Sequence, residues 1–499
     1  MSVDRPMPLP ARRLGVVGGL GPLASADVFF KLMKAMPAST EAGHADVIFE
    51  QHPFGAGAGA GSAASTERKL YVFDMIRGFE KRGVSTVVLP CFLSHTFIDE
   101  LKANTRLPIA DIVEAVRCHV QRRYPQASRI GVLASDYGRE HGLFEQYFAA
   151  PRFDVLHPRA ADGIDLVTEA IYGADGIKRG NLRGRAVDLL RRACQDLVDQ
   201  GAEVIVPGVT EIALVLDELG PQRVPLVDAN LAYAHYVATG EFALTAPAFK
   251  VGVVGGVGPA ATVDFLDKLV RNTPASRDQE HIKLLVEQNP QIPDRTDNLV
   301  GDGADPTVSL YATCRKLEEG DADLIAIPCN TAHAYVERIQ PYLQIPIVNM
   351  LTVTVEHLRD AFPTLGDIGL LATSGTIESG VYRKALEAHG LRQIVPSPAM
   401  QARVMSAIYG AQGVKAGFTT GPCQQDIAAA LEELIAAGVE VVVLGCTELP
   451  LLLPGDRFVA ASGASVRLVD PTDVLARRCV GYATAAGARG VTRGSPSAA

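Results

Sequence analysis

The chain has 499 residues, 47% of them hydrophobic and 21% charged, with a formal net charge of −9. That is enough sequence for several packed domains, and the acidic balance, with no long basic run, leaves no electrostatic footprint for nucleic acid or an anionic membrane surface. Eight cysteines are too sparse for a disulfide framework at this length, and no CxxC or HExxH spacing suggests zinc, so a cytoplasmic protein acting on a small metabolite is expected.

In chain order, Arg12-Arg13 before the apolar Leu14-Gly-Val-Val-Gly-Gly-Leu superficially resembles a secretory signal. The same segment recurs at Val251, and residues 14–33 and 251–270 agree at 11 of 20 positions, so it reads as a core strand. Short Val/Ile/Leu runs follow at Val84 to Leu89, Ile130 to Leu133 and Val204 to Val206, then again at Leu324 to Ile327, Ile368 to Leu371 and Val441 to Leu444. Lacking polar alternation and separated by amphipathic stretches, they predict buried parallel strands with crossover helices. Leu89-Pro-Cys91 pairs with Ile327-Pro-Cys329, Ile171-Tyr-Gly with Ile408-Tyr-Gly, and Gly208-Val-Thr-Glu with Gly445-Cys-Thr-Glu. A period of about 237 residues is too long for a solenoid. The α/β chain is thus a tandem duplication: one unit over 13–240, a linker over 241–249, a second unit over 250–480, and a small, polar tail over 485–499 expected to be disordered. Each unit is read as two pseudo-symmetric, flavodoxin-like subdomains with a ligand cleft between them.

Cys329 and Cys446 each follow an apolar run and precede a helix-like segment. Right-handed crossovers place such positions on the carboxyl edge of the sheets, where α/β proteins bind ligands. The two are 117 residues apart, about one subdomain, so two lobes facing each other would present a cysteine from either side. Asn330, Thr331 and Thr447 follow the cysteines at helix openings, where side chains and backbone N–H groups hold a carboxylate or serve only as helix caps.

Taken together, Gly255-Gly-Val-Gly-Pro, Gln288-Asn-Pro-Gln-Ile-Pro-Asp-Arg-Thr296, Pro328-Cys-Asn-Thr-Ala-His, Leu371-Ala-Thr-Ser-Gly-Thr376, Gly410-Ala-Gln-Gly-Val-Lys415 and Gly445-Cys-Thr-Glu-Leu-Pro resemble the cofactor-independent aspartate/glutamate racemases, most closely the aspartate branch. The resemblance covers nearly the whole chain, twice. It implies racemisation of L- and D-aspartate, or glutamate, without pyridoxal phosphate or another cofactor, with Cys329 and Cys446 as opposed bases. A thiol suits the task, because its ordinary pKa of about 8.5 can be tuned near working pH. By the same likeness Cys446 serves the L face and Cys329 the D face. Arg295 matches the arginine for the distal carboxylate, Lys415 a lysine on a mobile loop, and Asn330, Thr331 and Thr447, with Thr376 nearby, the α-carboxylate site. The bland alternative for Arg295 and Lys415 is solvated surface charge.

Glu448 recurs as Glu211 and reads as a structural hydrogen-bonding group; His333, recurring as His95, orients a thiol or caps a turn. The first unit departs from the pattern: Val209 replaces the second cysteine, Gly138 replaces Thr376, Phe92 and Leu93 replace Asn330 and Thr331, and the arginine segment becomes Gln51-His-Pro-Phe-Gly-Ala-Gly-Ala-Gly-Ala-Gly, without a guanidinium. Cys91 and Lys178 remain. It reads as a noncatalytic copy that acts as an intramolecular dimer partner, or as a pocket retuned for a more apolar ligand. Other readings of the chain are a further superfamily reaction, such as maleate isomerisation, decarboxylation or racemisation of another acid; a noncatalytic binding protein; and a dinucleotide site at Gly256-Val-Gly-Pro-Ala-Ala261 with Glu287, which leaves both cysteines unexplained.

Overall fold

The apolar runs become strands because β-branched residues pack on both faces of a covered parallel sheet. The computed structural model describes residues 13–36, 45–54, 62–161, 163–240, 248–453 and 455–492. Two compact units divide at Pro247/Ala248, inside the stretch read as a linker. Residues 241–247 of that stretch, 55–61 of the glycine-rich run and 493–499 of the tail lie outside the described residues.

In the first unit, β1 (Arg13–Val17), β2 (Asp46–Glu50), β3 (Thr86–Val88) and β4 (Ile109–Ala110) form a parallel sheet in the order β2-β1-β3-β4. A second sheet, β6-β5-β7, joins β5 (Arg129–Leu133), β6 (Asp154–Leu156) and β7 (Val204–Pro207), again all parallel. The second unit repeats the plan. β8 (Lys250–Gly255), β9 (Lys283–Gln288), β10 (Leu324–Ala326) and β11 (Ile347–Val348) are ordered β9-β8-β10-β11. β12 (Asp367–Leu371), β13 (Arg392–Ile394), β14 (Val441–Leu444), β15 (Arg457–Val459) and β16 (Ser465–Val469) are ordered β13-β12-β14-β16-β15, with only β15 antiparallel.

Each lobe is therefore a small doubly wound sheet, and within a unit the two lobes share a core. In the second unit Val251, Val253, Leu324, Ile368, Leu370, Val441 and Val443 belong to one buried cluster with Val474, Leu475 and Cys479 of the last helix, Pro471–Thr492. That helix returns from the second lobe to pack on Pro259–Asn272 and Met350–Ala361 of the first. It also runs past Ala485, so the tail expected to be disordered begins inside a helix. The run Ala483-Thr-Ala-Ala-Gly-Ala is small and polar, but alanine is the strongest helix former. Among the described residues no helix is long and apolar enough to cross a membrane.

A buried histidine fixes the turn after the third strand in each unit. His333 Nε2 accepts from the Met350 N–H at 3.0 Å, so Nδ1 carries the proton and donates to the Cys329 carbonyl at 2.9 Å. His95 repeats both bonds with Ile112 and Cys91. These histidines clamp a cysteine turn to the start of the next helix, settling the open role as structural. Burial holds His333 down at about 4 and lowers His95 as well, against the opposing pull of Asp111. The folded state thus keeps His333 neutral while an unfolded chain protonates it below about pH 6.5, so its contribution to stability is lost as pH falls from there towards 4. Between pH 7 and 5 the loss is on the order of 2 kcal/mol. The melting temperature is expected to fall over this range, and His333→Gln, less stable at pH 7, should show a flatter slope; an unchanged slope would assign the acid lability to another group.

Candidate active site

Cys329 follows Ile327-Pro328 just beyond the carboxyl end of β10, and Cys446 follows Gly445 at the end of β14. Both strands have neighbours on either side, so both cysteines sit at the centre of a sheet edge. They line one cleft between the lobes of the second unit. Seven of the eight residues singled out from the sequence line it: Arg295, Cys329, Asn330, Thr331, Lys415, Cys446 and Thr447. The eighth, Thr376, stands behind Thr331.

On the Cys329 side, Arg295 opens the helix Arg295–Val300, whose cap is Asp294, accepting from the Thr296 and Asp297 N–H groups at 2.8 and 3.0 Å. The side chain is only 6% exposed, which excludes the solvated-surface reading. Its guanidinium donates to the carbonyls of Pro293 at 3.1 Å and Val257 at 3.2 Å and lies against the Cys329 sulfur. Burial pulls the Arg295 pKa down, but Cys329 and Asp294 outweigh it and the net shift is upward. Arg295 Nε and Asn330 Nδ2 are buried donors that meet no acceptor among the described residues. The Asn330 amide is oriented from behind, where its Oδ1 accepts from the Tyr382 hydroxyl at 2.6 Å. Buried donors left unpaired are costly, and these two lie at a cleft wall suited to a carboxylate.

The opposite wall is organised by Glu448, 3% exposed. Its Oε2 accepts from the Cys446 thiol at 3.1 Å and the Thr447 hydroxyl at 3.3 Å, and its Oε1 from Lys415 Nζ at 3.0 Å. Glu448 is thus structural as expected, but it also touches the thiol, which sequence reasoning did not foresee. Burial pushes the Cys446 pKa well up, Glu448 adds to the rise and Lys415 only partly offsets it, so the group rests as a thiol. Lys415, on the turn Val414–Ala416, is engaged with this carboxylate and lies 5.1 Å over the Tyr409 ring. Burial lowers its pKa, but Glu448 and Cys446 more than reverse this and hold it above the ordinary lysine value.

A chain of hydroxyls spans the lobes. Thr296 bonds Thr373 at 3.2 Å, Thr331 meets Thr373 at 3.2 Å and Thr376 at 2.7 Å, and Thr373 and Thr376 are 3.1 Å apart. Tyr409 bonds Asp294 Oδ2 at 3.1 Å and Thr296 at 3.3 Å. Thr296 and Thr373 lay within strings already recognised, and Tyr409 within the repeated Ile-Tyr-Gly; nothing in the sequence marked Tyr382. The glycine loop before Pro259 also finds its use. Gly258 has φ +120°, and a Cβ there would stand 2.4 Å from Glu448 Oε1. A loop packed against a carboxylate is a poor bed for pyrophosphate, which removes the dinucleotide reading.

The first unit keeps the frame with a different lining. Its cleft is lined by Cys91, Phe92, Leu93, Val209 and the Lys178–Glu211 pair, whose charged atoms are 2.5 Å apart. Val209, 4% exposed, leaves one wall without the second thiol. The segment that replaces the arginine string carries no guanidinium, but another element brings one to this site, which sequence reasoning did not foresee: Arg68, from the helix Ser62–Lys81, places Nη1 3.7 Å from the Cys91 sulfur.

The family profile described as Asp/Glu/Hydantoin racemase matches residues 17–237 and again 254–479. The broad specificity amino-acid racemase RacX of Bacillus subtilis (strain 168) is 27% identical over 234 residues, 46% of this chain and 96% of that protein. A glutamate racemase of Corynebacterium diphtheriae is 31% identical over 169 residues, 31% of this chain and 60% of that protein. Among solved structures, an aspartate racemase of Picrophilus torridus is 27% identical, covering 47% of this chain and 94% of its own, with a TM-score of 0.41. The chain belongs to the Asp/Glu/Hydantoin racemase family, carries the family's domain twice in tandem, and is an amino-acid racemase, an isomerase.

Proposed function

We propose that the second unit interconverts the L and D forms of a dicarboxylic amino acid, aspartate first and glutamate as the alternative, with Cys329 and Cys446 as opposed acid/base groups. The observation that carries this reading is the pair of thiols, one from each lobe, on a single small cleft. A thiolate on one face of the substrate removes the Cα proton while the thiol on the other face delivers one, so the α-carbon inverts without the substrate turning over. Charge developing on the carbanion-like intermediate is met by donors fixed in advance: the Asn330 amide and the hydroxyls of Thr331 and Thr447 at the α-carboxylate. Thr376 orients Thr331 through their shared bond. Arg295 holds the distal carboxylate, for which a guanidinium buried beside the cleft is suited. With Cys446 resting as a thiol, the enzyme is set to protonate the L face, consistent with Cys329 serving the D face.

Racemisation of a neutral amino acid is the second reading. It is favoured by Lys415, whose charge is already matched by Glu448 and so adds none for a second carboxylate. The first unit, with Val209 for the second thiol, is proposed to be noncatalytic. Its fusion would supply a dimer partner at high effective concentration.

In D₂O without pyridoxal phosphate, the wild-type chain is expected to incorporate deuterium at Cα of aspartate or glutamate as it inverts, and Cys329→Ser and Cys446→Ser each to lose turnover by roughly a thousandfold or more, the scale of losing an acid/base group. Inversion that persists in both variants sinks the two-thiol reading; activity confined to alanine or another neutral amino acid selects the second one. Arg295→Gln is expected to weaken use of dicarboxylic substrates by about 10- to 100-fold, the value of a charged hydrogen bond, and to spare alanine; equal losses on both would remove the distal-carboxylate role. Glu448→Gln removes the like charge that raises the Cys446 pKa. The ascending limb of its kcat/KM profile should therefore move to lower pH, and a limb that stays in place or moves up would show that Glu448 does not tune the thiol.

A further inference from the structure

The first unit's cleft is rebuilt rather than merely eroded. In the second unit the guanidinium beside the third-strand cysteine comes from Arg295, on a short helix after β9. In the first unit it comes from the long helix Ser62–Lys81. The buried faces of that helix and its counterpart Thr307–Glu319 match, Val72, Ile76 and Phe79 corresponding to Leu310, Cys314 and Leu317. On this register Arg68 falls at Pro306, just before the shorter helix begins, so extra helix at the amino end delivers the side chain. The segment that replaces the arginine string supports it, since Arg68 Cζ lies 5.3 Å over the ring of Phe54.

The charges of this cleft limit its ligand. Lys178 is matched by Glu211 at 2.5 Å and donates to the Leu20 carbonyl at 2.7 Å. Arg68 has no carboxylate within 4.0 Å among the described residues, and so brings one uncompensated positive charge. Facing it, Phe92, Leu93 and Val209 stand where the second unit has Asn330, Thr331 and Cys446. The polar donors for an α-carboxylate and the second thiol have become an apolar wall. The one carboxylate of the lining, Glu211, is taken by Lys178, which leaves no matching partner for a substrate ammonium.

We propose that the first unit's cleft binds a small aliphatic monocarboxylate, with Arg68 as the anion anchor and Phe92, Leu93 and Val209 as the surface for its hydrocarbon. The site binds without inverting its ligand. This does not rest on the second unit's substrate.

The test is calorimetric titration of the full chain with 3-methylbutanoate, alongside the neutral 3-methylbutanol and the dianion succinate, for the wild type and for Arg68→Gln, Arg68→Lys and Arg295→Gln. Saturable binding of 3-methylbutanoate is expected, weakened by about tenfold or more in Arg68→Gln, as for loss of a charged hydrogen bond, less in Arg68→Lys, and retained in Arg295→Gln; in that last variant the alcohol and succinate should bind more weakly by a similar factor. Arg68→Lys keeps the charge, so it reports on the anchor even where Arg68→Gln unfolds the helix end, and melting curves separate the two cases. The proposal is overturned by absence of saturable binding to the wild type, by equal binding of the alcohol, or by loss of binding in Arg295→Gln with none in Arg68→Gln, which would place the ligand in the second unit.

Discussion

One buried carboxylate holds the working site together. Glu448 accepts from Cys446, Thr447 and Lys415, and its outer face is pressed against the glycine loop of the opposite lobe, where Gly258 leaves room that no side chain could share. Burying a carboxylate is expensive unless it is paired and hydrogen-bonded, so the lysine, the glycine and the lobe arrangement are required together. The first unit shows the same constraint. Glu211 pairs with Lys178, and a Cβ on Gly21 would stand 2.4 Å from its Oε1. Valine stands there in place of the second thiol, yet the carboxylate, the lysine and the glycine are present in both units, as expected of a packing constraint.

Against that common frame the units differ where a ligand would touch them. In the second, polar donors line one wall: an amide oriented by Tyr382 and hydroxyls chained across the lobes from Thr296 to Thr376. In the first, Ser135 stands in place of Thr373 with its hydroxyl buried and unpartnered, Gly138 stands in place of Thr376, and the hydroxyl chain is gone. Preorganised donors serve catalysis because they need not rearrange as charge develops. Their loss together with one thiol is a coherent change, and the guanidinium that remains is delivered by a different helix.

The two cysteines of the second unit also stand in unlike surroundings. Cys446 faces a carboxylate at 3.1 Å, whereas Cys329 faces a guanidinium. Opposed acid/base groups need not be identical; they need to be in opposite protonation states when substrate arrives. The carboxylate neighbour, with burial, is an electrostatic way to hold Cys446 as a thiol.

The duplication, the parallel strands and the cysteine turns were legible because each is a local pattern: an apolar run without alternation, a repeated glycine string, a cysteine before a helix opening. So was the membership of Arg295, Asn330, Thr331 and Lys415 in one site, through strings that sit at fixed places on those elements. Tyr382 was not, because its bond to Asn330 spans 52 residues and no short string encodes it. Nor was Arg68, whose position aligns with no site residue of the second unit and reaches Cys91 only through a helix extended by its own first turns. The partner of Lys415 was hidden for a similar reason: the family resemblance implied only a lysine on a mobile loop, while its burial against Glu448 follows from how two loops of one lobe converge. Sequence alone determined which groups are present and which strand ends carry them, since strand order and handed crossovers constrain those edges. Only the tertiary structure decided which charges cancel, because compensation depends on distances between side chains far apart in the chain, and those are set by packing.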